Sequence, residues 1–207
     1  MDKKAILFIF AGVVLVIGTL MVFSSNNQTE IVNRDSTGQT VVAFGDSLVE
    51  GVGADDGSNF VDILSKRIGE PIVNEGISGD TTVDGLARVD EVIKHDPRIV
   101  IVLLGGNDAI KNISKEETFA NLERIVKSLQ DNGSAVILVG VQSGILRDVN
   151  KKEYNKLSSK LGTAYVPNIL EDIIGSPDLM SDPIHPNEAG YLIMADRIEP
   201  VLQDLLQ

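Results

Sequence analysis

A serine, a histidine and an aspartate have surroundings in this chain that suit nucleophilic chemistry. Ser47 stands in Gly45-Asp46-Ser47-Leu48, directly after the β-branched run Thr40–Phe44. A hydroxyl is a weak nucleophile until a base accepts its proton. Taken alone, Ser47 fits a turn or a helix N-cap just as readily. Only two histidines exist to serve as that base. His95, in Lys94-His95-Asp96-Pro97, ends a helical stretch and reads as a solvent-facing C-terminal cap. His185 lies three residues after Asp182, between Pro183 and Pro186, which stiffen the segment. A carboxylate at one ring nitrogen fixes the tautomer and leaves the other nitrogen free to accept a proton. The spacing suits a tight turn that presents both groups together, with Asn187 as the N-cap of the helix that follows. This trio predicts acyl transfer through Ser47, with His185 as base and Asp182 as the acid that orients it.

A tetrahedral intermediate also needs donors for its oxyanion. The amides of Ser47 and Gly79 fit that role, because a glycine lets its N–H approach a substrate closely. Asn107, in Gly105-Gly106-Asn107-Asp108, adds a side-chain N–H₂. A turn glycine and a local turn hydrogen bond account equally well for Gly79 and Asn107 taken singly.

The elements that must position these groups are legible in the apolar pattern. Continuous apolar runs at Thr40–Phe44, Arg98–Leu104 and Ser134–Val141, with shorter ones at Pro71–Asn74 and Thr163–Val166, predict five strands. Runs apolar throughout, rather than alternating, belong to strands buried on both faces. Between them, helical spacing occurs over Asn59–Ile68, Val83–Lys94, Phe119–Leu129 and Tyr154–Leu161, and a last helix covers Pro186–Leu206. Strands and helices in alternation give a parallel sheet in a three-layer α/β/α sandwich. In such folds ligands gather beyond the C-terminal strand ends, where the Ser47, Asn74–Gly79 and Asn107 clusters are predicted to fall.

Composition narrows the function. The chain has 207 residues, 43% hydrophobic and 23% charged, enough for one packed domain. Aromatics are only 4%, so the core is aliphatic. A net charge of −12 opposes nucleic acid as a partner. The absence of cysteine excludes disulfides, thiolate catalysis and cysteine metal sites. Gly45–Gly53 lacks both GxGxxG and a terminal Lys-Ser/Thr pair, which argues against a nucleotide loop.

The N-terminus is a separate matter. Lys3 and Lys4 precede an uncharged run, Ala5–Phe23, of 19 residues. As a helix it would span about 28 Å, close to the roughly 30 Å hydrocarbon core of a bilayer. That length exceeds a usual signal h-region and favours an uncleaved anchor over a signal peptide cut near Ser24 or Ser25. The lysines predict a single pass with the catalytic domain outside the cytoplasm; secretion after cleavage is the alternative. Residues 1–25 therefore read as anchor or signal, 26–38 as a polar linker, and 39–207 as the folded domain.

Together these blocks resemble the GDSL, or SGNH, hydrolase superfamily, and within it the bacterial lysophospholipase/acyl-thioesterase/arylesterase group. The similarity covers about residues 40–206 and is densest over NEGISGDTTVDGLARV and RIVIVLLGGND. The resemblance implies a flavodoxin-like α/β/α architecture and hydrolysis of acyl esters or thioesters. It places the nucleophile on Ser47, the triad on Asp182 and His185, and the oxyanion hole on Ser47, Gly79 and Asn107. It calls for no metal or organic cofactor. Sugar O-acetyl groups are an alternative substrate, and an inactive membrane-tethered binding protein an alternative role. After the fourth strand, GVQSGILRDVN stands where similar enzymes carry a loop shaping the acyl site; Ile145, Leu146 and Val149 make it apolar.

Overall fold

The structure is a computed structural model that describes residues 30–141 and 150–207. Ala5–Phe23 and the segment with Ile145, Leu146 and Val149 lie outside the described residues. Among the described residues no helix is long and apolar enough to cross a membrane.

Five parallel strands form one sheet: β1 (Thr40–Gly45), β2 (Ile72–Gly76), β3 (Pro97–Leu103), β4 (Ala135–Val139) and β5 (Ala164–Val166), in the order β2-β1-β3-β4-β5. Val41–Phe44, Ile99–Leu103 and all of β4 are buried, as their unbroken apolar runs require. The helices are α1 (Ser47–Glu50), α2 (Phe60–Ile68), α3 (Thr82–Ile93), α4 (Gly106–Ile110), α5 (Lys115–Asp131), α6 (Lys151–Leu161) and α7 (Glu188–Leu205). From β1 the chain moves outward to β2, then returns past β1 to β3, β4 and β5. Right-handed crossovers put helices before and after such a reversal on opposite faces. Accordingly α3 packs on α5 and α5 on α6 along one face, while α2 packs on α7 along the other.

The four-residue α1 and five-residue α4 were legible only as glycine-bearing clusters, because neither is long enough to show a period. β2 runs to Gly76, two residues beyond the apolar stretch. It is an edge strand with Asn74 exposed, so its pattern is weak.

The compact domain begins at Ile31, eight residues before Gln39 where the polar composition put it. Polarity misleads here because hydrogen bonds hold most of this stretch, beside Ile31 packed against the core. The Val32 amide donates to the Gly162 carbonyl at 2.9 Å. Asn33 Nδ2 donates to the carbonyls of Gln130 and Ser134 at 2.7 and 3.1 Å. Arg34 Nη1 pairs with Asp204 Oδ2 at 2.9 Å. Gly162 and Ser134 lie just before β5 and β4, so this lead-in sits at the N-terminal ends of the strands.

Candidate active site

β1 and β3 are the neighbours between which the chain direction reverses, and their C-terminal ends open onto the site, as expected for a topological switch point. Asp46 follows β1 and caps α1: its Oδ1 accepts the Leu48 amide at 3.0 Å. Ser47 is therefore the first helical residue, 9% exposed, held at the strand-to-helix corner.

His185 comes to Ser47 from the far end of the chain. The segment before α7 folds back on itself, with the Ser181 amide donating to the His185 carbonyl at 2.9 Å. Asn187 caps α7, its Oδ1 accepting the Gly190 amide at 3.1 Å. Within the turn, Asp182 Oδ1 accepts the amides of Ile184 and His185, both at 2.8 Å. Asp182 Oδ2 lies 2.7 Å from His185 Nδ1, and His185 Nε2 lies 3.0 Å from Ser47 Oγ. Desolvation raises the Asp182 pKa, but the bonds from His185 and the two amides outweigh it and hold the pKa below the ordinary value. An ionised carboxylate only accepts, so Nδ1 carries the ring proton and the Nε2 lone pair faces the Ser47 hydroxyl.

The two segments touch at Gly53. Its φ is +96°, and a Cβ there would overlap Ser181 Oγ and the Pro186 carbonyl oxygen. Only glycine lets the Ser47 loop pass this close beneath the histidine turn. Tyr191 of α7 adds a tie, its hydroxyl donating to the Val52 carbonyl at 2.8 Å.

Gly79 occupies the third position of a turn closed by the Asp80 amide donating to the Ile77 carbonyl at 3.1 Å, with φ +84°. A Cβ at Gly79 would meet nothing within 4 Å, so the constraint is backbone conformation and the space above it is open. Neither the Ser47 nor the Gly79 amide has an acceptor among the described residues. Asn107 lies in α4, and its Nδ2 donates to the Asp80 carbonyl at 2.9 Å, with Asp46 Oδ2 3.4 Å away. Asp108 is buried and anchors the start of α4 to α3 and α5. It accepts from the Thr82 amide at 2.9 Å, the Thr82 hydroxyl at 2.5 Å and the Thr118 hydroxyl at 3.1 Å.

His95 differs from its reading as a solvent-facing cap. Its Nε2 lies 2.7 Å from Glu75 Oε1, across from β2. The register of β2 sets that pairing, and nothing local to Lys94-His95-Asp96 signals it.

The geometry is matched by likeness to known proteins. Residues 43–193 match the model of the GDSL-like lipase/acylhydrolase family. The chain belongs to that family. It is similar to esterase TesA of Pseudomonas aeruginosa, 29% identical over 188 residues that cover 85% of this chain and 94% of that protein. It is also similar to thioesterase 1/protease 1/lysophospholipase L1 of Escherichia coli K12, 29% identical over 182 residues covering 84% and 88%. The crystal structure of TesA superposes with a TM-score of 0.72 at 30% identity, covering 81% of this chain and 99% of that one. The α/β sandwich with a five-stranded parallel sheet inferred from periodicity is therefore the observed one, and the relatives share it.

Asp46 was not singled out in the sequence, although an aspartate just before a helix start is a standard N-cap signal. Burial raises its pKa to about 7, against the lowering effect of the Leu48 amide and His185. The folded acylhydrolase thus binds this proton more tightly than the unfolded chain does. Stability should fall as pH rises from about 4 to about 7 and level off above, by an amount of order a few kcal/mol. Asp46→Asn keeps the acceptor for Leu48 and removes that slope. Urea midpoints at pH 5 and pH 8 check this; an unchanged pH dependence in the variant refutes it.

Proposed function

We propose that Ser47 is the nucleophile through which this acylhydrolase cleaves carboxylic esters or thioesters in two steps. The observation that carries the reading is the hydrogen-bonded line from Asp182 Oδ2 through His185 to Ser47 Oγ, at 2.7 and 3.0 Å. His185 Nε2 takes the hydroxyl proton as Oγ attacks the acyl carbon, and Asp182 stabilises the imidazolium that forms. The Ser47 and Gly79 amides and Asn107 Nδ2 receive the charge on the carbonyl oxygen. His185 then protonates the departing alcohol or thiol. In the second step it activates water to release the acid and free Ser47.

The names of the relatives support ester and thioester substrates. The run Ala5–Phe23 behind Lys3 and Lys4 supports a domain held at the outer face of a membrane, with secretion after cleavage as the alternative. Mass measurement of the protein isolated from cells separates these two, since only the anchored form retains the run.

A fluorophosphonate probe reacts only with an activated serine. The expected adduct is a single one on the peptide containing Ser47, and labelling elsewhere or none at all defeats the reading. A panel of acyl-thioester, lysophospholipid and O-acetylated glycan then assigns the leaving group. Preference for the glycan would move the enzyme to the carbohydrate esterases with the same residues in the same roles.

A further inference from the structure

Asp80 and Arg88 connect every segment that ends at the site, apart from the histidine turn. Asp80 is 9% exposed and directly follows Gly79. Its amide closes the Gly79 turn, and its carbonyl accepts Asn107 Nδ2 at 2.9 Å. Its carboxylate Oδ2 accepts from Arg88 Nε at 2.6 Å. Arg88, on α3, also donates from Nη2 to the carbonyls of Gly45 and Glu75, both at 3.0 Å. These carbonyls lie at the ends of β1 and β2. The guanidinium carbon stands 4.6 Å from the Phe44 ring centroid, which fixes the plane of the fork. From the solvent side, Lys111 Nζ donates to the Gly79 carbonyl at 2.7 Å.

The fork thus reads two strand ends and the Asp80 carboxylate at once, with Glu75 Oε2 a looser contact 3.5 Å from Nη1. A lysine ammonium has no fixed fork and cannot hold these three directions together. The buried carboxylate it grips belongs to the residue that sets both the Gly79 turn and the Asn107 side chain. We propose that Arg88 is a positioning residue of the acyl transfer, acting through Asp80 to hold the Gly79 amide and the Asn107 side chain where the oxyanion forms. The proposal rests on the roles given above to Ser47, Gly79 and Asn107.

The test is steady-state hydrolysis of a short p-nitrophenyl ester by the full chain. Arg88→Lys and Asp80→Asn are each expected to lower kcat about 10- to 100-fold, less than outright loss of a donor, with KM within about threefold. Because part of its effect runs through Asn107, Arg88→Lys costs clearly less when added to Asn107→Ala than it does alone, the remainder being its hold on the Gly79 amide. A role in stability alone would leave the two losses multiplicative. Wild-type kcat in both variants, a change confined to KM, or a full loss carried into the Asn107→Ala background each overturns the proposal. Asp80→Asn keeps the backbone carbonyl that Asn107 needs, so it carries the test if Arg88→Lys fails to fold. Ser47→Ala is the control: hydrolysis persisting in it would defeat the assignment of the nucleophile rather than that of Arg88.

Discussion

Replacing Ser47 by alanine is expected to lower kcat/KM for a short p-nitrophenyl ester by about 10⁴- to 10⁶-fold, the range for removing a triad nucleophile. The change deletes one oxygen whose hydrogen bond is to His185 Nε2. Asp46 still caps α1 through its own carboxylate, and the Ser47 amide stays in place. The fold should therefore survive, with a melting temperature within a few degrees of the parent. Residual hydrolysis comes from binding and from the oxyanion donors, so the rate should fall to a low floor rather than to zero. A variant with more than a tenth of the parental rate would end the assignment. A variant that has lost its circular dichroism spectrum would leave the chemistry to be judged by fluorophosphonate labelling of the parent chain.

Asp182→Asn should have the second largest effect, a fall in kcat of about 10²- to 10⁴-fold. The reason lies in how the carboxylate is held. Oδ1 faces the amides of Ile184 and His185, and Oδ2 faces His185 Nδ1. An asparagine keeps its one oxygen toward the two amides and turns its N–H₂ toward Nδ1. Two donors cannot face each other, so the ring moves its proton to Nε2. A protonated Nε2 presents a donor to Ser47 Oγ and cannot accept the hydroxyl proton. The effect falls on kcat, because the substrate contacts are untouched. Nitrogen-15 shifts of the His185 ring report the change of tautomer directly. A kcat within threefold of the parent, or an unchanged tautomer, would contradict the role given to Asp182. The stability cost should be small, since the Asp182 side chain is 44% exposed and water screens its interactions.

How much was legible in advance follows from the range of each interaction. β1, β3 and β4 were plain because burial on both faces demands apolar residues at every position, a property written along the chain. The ends of β2 were less plain because an edge strand tolerates Asn74 and Glu75. Asp182 and His185 were legible as a pair because three residues separate them and the turn is local. Ser47 became persuasive only when that pair supplied a base. Asp80, Arg88 and Asp108 went unnoticed for the opposite reason. Their decisive bonds run to Asn107, Gly45 and Thr82, across 27, 43 and 26 residues. No periodicity or spacing records such contacts. The Thr81–Asp84 capping box was the one signal in that region readable from spacing alone.

The pair Arg34–Asp204 has a consequence for how this domain can be rebuilt. α7 starts beside His185 and runs 18 residues away from the chemistry, ending next to the lead-in at the N-terminal ends of the strands. Both chain ends of the domain therefore lie together, on the side opposite Ser47. A short linker from Gln207 to Ile31 would close the domain into a ring without crossing the mouth of the site. New termini could then be opened in a surface turn, and in the unclosed domain a support or fusion partner attached at Gln207 would leave the catalytic face unobstructed.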